Sequence, residues 1–166
     1  GAVDFVPELT DGLTKRYFIK GRPGSGKSTM LKKIASAAQE KGFDTEIYHC
    51  GFDPNSLDMV IVRELGFAIF DSTAPHEYFP EKPSDEIVDM YPGVIKEGTD
   101  EDYAKEIADI AGRYKNKMAE GTAYLTREKE LHDELERIYV QAMDFDKVKE
   151  IQQKIKKEIN QLLEQL

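Results

Sequence analysis

"RYFIKGRPGSGKSTMLKKIA", residues 16–35, sets an apolar run against a glycine-rich bend and then a second apolar pattern of different period. Tyr17, Phe18 and Ile19 give the β-rich content of a strand over residues 16–20. From Lys27 onward, Met30, Leu31, Ile34, Ala35 and Ala38 recur at helical spacing, and Gly42 stands where a helix would stop. Between the two, Gly21, Gly24 and Gly26 permit backbone angles and close approaches that a β-carbon would block. The order strand, glycine bend, helix is therefore predicted before any ligand is considered.

Gly21 to Ser28 matches G-x-x-x-x-G-K-[ST], and the flanking strand and helix are the two conditions that separate a phosphate loop from an accidental match. The expected binding residues are Gly21, Arg22, Pro23, Gly24, Ser25, Gly26, Lys27, Ser28 and Thr29. Successive amides there can turn inward as an anion nest at the positive end of the following helix. On this reading Lys27 reaches the β- and γ-phosphates, the Ser28 hydroxyl faces Mg²⁺, and Thr29 contacts the α-phosphate. The competing reading is a glycine-rich turn with an exposed lysine.

A magnesium site needs a further acid. Asp71 ends the apolar run "FAIF" and would hold the ion, commonly through water. Lys27 and Asp71 are thus the expected catalytic pair, with Ser28 and Asp71 on the metal. Asp58, just before "MVIV", is the rival; Asp71 is preferred because it follows its strand, at the edge where parallel sheets bind ligands.

That edge also collects His49, Cys50, Asp53, Thr73 and His76. His49 and Cys50 at strand spacing read more readily as core residues than as chemistry, and with His76 they lack the paired spacing of a zinc site.

Elsewhere, residues 44–50 and 67–71 read as strands, while residues 57–65 read as a strand hairpinned through Gly66 or as a short buried helix. Residues 72–98, with four prolines, read as a long irregular connection. After Thr99, which with Asp102 resembles a capping box, the texture becomes helical. Tyr103, Ile107, Ile110, Tyr114, Met118, Gly121 and Leu125 recur at steps of three and four, continued by Leu131, Leu135, Ile138, Ala142 and Phe145. A second stripe runs through Val148, Ile151, Ile155, Ile159, Leu162 and Leu166, with Asp144 or Asp146 placed to cap it. The expected architecture is α/β: a three-layer P-loop NTPase core over residues 1–98, with an incomplete sheet in which only three or four strands are read, then an antiparallel helical hairpin over 99–166. That hairpin turns near 143–146 with coiled-coil-like packing.

The bulk numbers limit the partners. The 166 residues carry a net charge of −9. Residues 1–70 hold nine basic and nine acidic side chains and residues 71–166 hold 14 and 23, so no basic stripe suits a nucleic acid. No apolar run is long enough for a bilayer, and the first residues lack the pattern of a signal peptide. The single Cys50 fits a reducing cytoplasm. The missing initiator Met points to a processed form or a fragment.

With "GRPGSGKST", "HCGFDPNSLDMVIV" and "FDSTAPH" in view, the chain resembles, from about residue 1 to 143, a family of bacterial P-loop ATP-binding proteins that carry two tandem P-loop modules. The resemblance implies ATP with Mg²⁺ as ligand and a second such module as a potential partner. The absence of a guanine-reading Asn/Thr-Lys-x-Asp element leans the same way. The leading expectation is a slow Mg²⁺-dependent ATPase acting as a conformational switch, because Ser72 stands where many ATPases place Glu after the magnesium-binding Asp. Glu64, His76 and Asp53 could each orient a water. One alternative is a small-molecule or nucleotide kinase, although no arginine lies between Asp71 and Gly98 to clamp a phosphoryl group. The other is a non-catalytic scaffold whose helices bind a partner protein.

Overall fold

A computed structural model describes residues 5–74 and 77–164. Contacts divide the chain into two units, Gly1–Ile107 and Ala108–Leu166. The first contains α1 (Val6–Leu9), β1 (Lys15–Lys20), α2 (Lys27–Glu40), β2 (Glu46–His49), β3 (Leu57–Val62), β4 (Phe67–Asp71), β5 (Glu86–Asp89) and α3 (Thr99–Asp102). The long helix α4 (Ala104–Val140) starts at its end. The second unit holds the rest of α4 and α5 (Phe145–Leu163).

The five strands form one mixed sheet in the order β2-β3-β4-β1-β5. β1 runs parallel to both β4 and β5, whereas β3 is antiparallel to β2 and to β4. Alternation sorts the side chains onto two faces. Ile19, Val60 and Ile69 meet Leu31 and Ala35 of α2 on one face. On the other, Phe18, Met59, Ile61, Ala68 and Phe70 form a cluster with Leu13, covered in part by Val6, Leu9, Tyr48 and Tyr78. Phe18, Ile19, Leu31, Val60, Ile61 and Phe70 are at most 2% exposed, and each such side chain contributes about 1.5–3 kcal/mol by leaving water.

Local signals hold at several places. Past the end of α2, Gly42 takes φ +85°, its N–H bonds Gln39 O, and Phe43 N–H bonds Ala38 O, a Schellman closure. The ambiguous segment 57–65 is a strand followed by a short 3₁₀ turn, Arg63–Leu65, and Gly66 at φ +60° leads straight into β4. The Gly66 carbonyl accepts from Thr14 N (2.8 Å) and Lys15 N (2.9 Å), which ties this hairpin to the start of β1. A β-carbon at Gly66 would run into the Thr14 hydroxyl.

The structure corrects four expectations. Residues 72–98 are not wholly irregular, because β5 lies within them. Only Ile87 and Val88 are apolar there, between Glu86 and Asp89, and an edge strand of four residues needs no longer apolar run. The sheet is mixed, and where the expected third layer would lie only α1 and the Tyr78 segment pack on the second face among the described residues. Thr99 and Asp102 make no capping box: Gly98, at φ +84°, is the N-cap of α3, and the Thr99 hydroxyl donates to Lys96 O (2.6 Å).

The fourth correction concerns the helical hairpin. Asp144 does cap α5, accepting from Lys147 N at 3.1 Å, after a turn at 141–142. The expected coiled-coil burial does not follow. Leu131, Leu135 and Ile138 on α4 are 54–67% exposed, and Val148, Ile151, Ile155, Ile159 and Leu162 on α5 are 43–64% exposed. Leu166, the last position of the α5 stripe, lies outside the described residues.

Candidate functional site

Gly21–Gly26 bridges the C-terminal end of β1 and the first turn of α2. Gly24 and Gly26 adopt φ +82° and +91°, angles that only glycine takes without strain, and Gly26 is the N-cap of α2. Gly21 is needed for a different reason: a β-carbon there would lie 2.9 Å from Ser25 Oγ and 3.1 Å from Met90 Cβ. Because no side chain caps α2, its first amides are left to the bend.

Lys27 folds back over that bend. Its Nζ donates to Gly21 O (2.8 Å) and Arg22 O (3.0 Å) and lies 3.5 Å from an Asp71 carboxylate oxygen. Asp71 reaches this position by register, since β4 is parallel to β1 and pairs Asp71 with Ile19. Asp71 Oδ1 also accepts from the backbone N–H (3.0 Å) and hydroxyl of Thr73, which fixes the carboxylate at the strand end. Ser28 Oγ accepts from Leu57 N at 2.9 Å, joining α2 to the start of β3. Ser25 Oγ is buried and, among the described residues, has no hydrogen-bond partner.

The rival acid comes closer than its sequence position suggests. Asp58 precedes its strand, but β3 is antiparallel to β4 and pairs Met59 with Phe70. The next residues along, Asp58 and Asp71, are thereby brought level at the same sheet edge. Glu64 goes the other way: it follows β3, at the end where Val62 pairs with Phe67, so it lies at the opposite edge from the bend and is no candidate to orient a water there.

The remaining candidates separate. His49 is exposed rather than core, and its Nδ1 meets Pro54 O at 2.6 Å. Cys50 N–H donates to Ser56 O, and Asp53 closes its own turn by accepting from Asn55 N. These residues serve the 49–56 loop. His76 lies outside the described residues. Among the described residues, the one group with metal-like proximity is His132, Asp133 and Glu136 on α4, a cluster of exposed or half-exposed groups.

Sequence reasoning missed the support around the bend. Arg22 forms an ion pair with Asp100 of α3 and stacks over the Tyr91 ring at 5.2 Å. This pairing raises the Arg22 guanidinium's affinity for its proton. No spacing rule links residues that lie 78 positions apart. Ser72, in the position of the expected Glu, is fully buried, donating to Tyr78 O (2.8 Å) and accepting from Tyr78 N (2.9 Å). On the face of the sheet opposite α2, Arg16 Nε and Nη2 grip both oxygens of Asp85 at 2.8 and 2.6 Å, and Asp85 Oδ2 also accepts from Glu81 N and Lys82 N. The Arg16 hydrogen bonds hold the Asp85 carboxyl far below the ordinary carboxylate range, against the desolvation that would raise it.

The bend and the strand end beside it thus bring together main-chain amides at a helix start, the Lys27 ammonium, the Ser28 hydroxyl and the Asp71 carboxylate. This donor set complements an anion accompanied by a cation. No family model, no curated protein and no solved structure matches this chain.

Proposed function

We propose that the chain is a P-loop module that binds magnesium–ATP across residues 21–29 and hydrolyses it slowly. The observation that carries the reading is the position of Lys27 Nζ, held over the carbonyls of the bend and 3.5 Å from Asp71. An ammonium so placed neutralises charge arriving at the bend, and a carboxylate beside it suits the cation that accompanies a polyphosphate. The unpartnered Ser25 Oγ adds a polar atom inside the bend that a phosphate oxygen would satisfy. Ser28 and Asp71 are the residues that would hold the magnesium, which would supply charge neutralisation at the transferred phosphoryl group. ATP over GTP rests on the family resemblance and on the missing guanine-reading element.

Slow turnover follows from residue 72. A buried serine committed to Tyr78 cannot act as a base, and Glu64 lies at the far edge of the sheet. A second reading, nucleotide-stabilised partner binding without turnover, is favoured by the exposed stripes of α4 and α5.

Calorimetric titration with ATP, ADP and GTP, each with Mg²⁺, tests the proposal on the wild type and on Lys27→Ala. The expected result is saturable magnesium-dependent binding that Lys27→Ala weakens by tenfold or more, about 1.4 kcal/mol. Wild-type protein that binds none of the three would end the reading. Phosphate release measured on the same samples separates a slow ATPase from a binder without turnover.

A further inference from the structure

α4 is 37 residues long and α5 is 19, about 55 Å and 28 Å of helix. If α5 folded back on its own chain from the 141–142 turn, it would reach only to about residue 122. Ile110 and Tyr114, 57% and 55% exposed, would still face water. An apolar stripe of that extent on a charged helix marks an interaction surface.

The stripe itself indicates what covers it. Along the part of α4 in the second unit, the seam positions run Ile110, Tyr114, Gly121, Tyr124, Leu131 and Leu135, with Met118 and Leu125 of the stripe flanking them. The series reads nearly the same in both directions. Laid against a reversed copy, Ile110 comes level with Leu135, Tyr114 with Leu131, and Gly121 with Tyr124, a small residue opposite a large one. Charge follows the same symmetry. Residues 108–122 carry three basic and two acidic side chains, whereas residues 123–140 carry three basic and five acidic ones. In the reversed pairing Lys115 stands level with Glu130, and Lys117 with Glu128. In a parallel pairing each acidic half would meet its own copy.

We propose that two copies of this chain associate through α4 in an antiparallel, two-fold symmetric pair centred near residue 123. Such an interface is isologous, so the near-mirror order of the stripe is what its symmetry requires. It buries both halves of the α4 seam at once, which a fold-back of α5 cannot do.

The experiment uses the full chain in a Cys50→Ser background, so that each variant carries one thiol. Ile110→Cys and Leu135→Cys are prepared separately, checked for unchanged helicity by circular dichroism, and oxidised alone and as a mixture. Both substitutions fall on exposed positions of α4. In the antiparallel pair the two thiols of the Ile110→Cys variant lie about 37 Å apart, as do those of the Leu135→Cys variant, too far for a disulfide. Position 110 of one chain lies beside position 135 of the other. The expected result is disulfide-linked dimer in the mixture and none in either sample alone, with unoxidised wild type at twice the mass of one chain by light scattering. Linked dimer in a single-variant sample would mean a parallel pair and would overturn the proposal. A wild-type mass of one chain at the highest concentration tested would overturn it too, leaving α5 or a different protein to cover the seam. Neither outcome bears on the nucleotide titration, so the two readings stand or fall separately.

Discussion

α2 and α5 carry the same kind of pattern to opposite ends. Leu31 of α2 is fully buried under the sheet, whereas Ile151 of α5, equally regular in its spacing, is 59% exposed. Periodicity specifies a face; what covers that face depends on elements the period does not encode. In the first unit the strands supply the cover, and the side chains there hold the fold together. In the second unit the described residues form no strand, and the stripes are surface. Truncations should therefore act strongly in the first unit and weakly in the second.

The largest expected effect is at the buried ion pair. The Asp85 side chain is fully buried, accepts four hydrogen bonds and ties the 81–85 turn to β1. Asp85→Ala leaves Arg16 charged in the same place without its buried partner, a change that costs about 3–5 kcal/mol. Urea unfolding with unchanged slope and a lower midpoint would read this out. The pH dependence has a definite sign. The carboxyl is depressed in the folded protein, so its contribution is present at neutral pH. It is lost as pH falls below about 4, the ordinary aspartate value, toward the depressed one. The wild type should lose stability across that window, and Asp85→Ala should lose visibly less.

Next comes Leu31→Ala. The side chain sits at 0% exposure between α2 and the sheet, and its removal should cost about 3 kcal/mol in the same unfolding assay. A cost under about 1 kcal/mol would mean that α2 is not held against the sheet as described, and the bend it positions would lose its support.

How legible these regions were differs in the same way. The strand, bend and α2 are readable because each depends on neighbours within a few residues: Gly24 and Gly26 for their angles, Gly42 for the stop; the α5 cap at Asp144 is readable in the same way. β5 was not readable, because a two-residue apolar core becomes a strand only when β1 offers an open edge. The antiparallel course of β3 was hinted at by Gly66, yet its consequence was hidden. Only the Met59–Phe70 register shows that Asp58 shares an edge with Asp71 and that Glu64 does not. Asp100 and Asp85 are distant in sequence from Arg22 and Arg16, and no local rule could pair them. At Thr99 and Asp102 the local rule pointed to a box that Gly98 forestalls by taking the N-cap position.

A smaller effect tests the second unit from its own end. Asp144→Ala removes the acceptor for Lys147 N and should weaken the start of α5 by about 1 kcal/mol. That would appear as a modest loss of helicity in circular dichroism while the urea midpoint of the first unit stays in place.

Ile151→Ala makes the sharpest contrast with Leu31→Ala because it should do almost nothing. Exposed substitutions away from caps and cores stay within about 0.5 kcal/mol, and alanine is a better helix former than the β-branched isoleucine it replaces. Measured in dilute protein, where association between copies is suppressed, helicity should hold or rise slightly. A loss of more than about 1 kcal/mol would show that Ile151 is covered within its own chain. The hairpin packing that the spacing predicts would then exist in solution, with α5 lying on the acidic half of α4. That outcome would erase the difference between the two regions, because a periodic stripe would have found its cover in both.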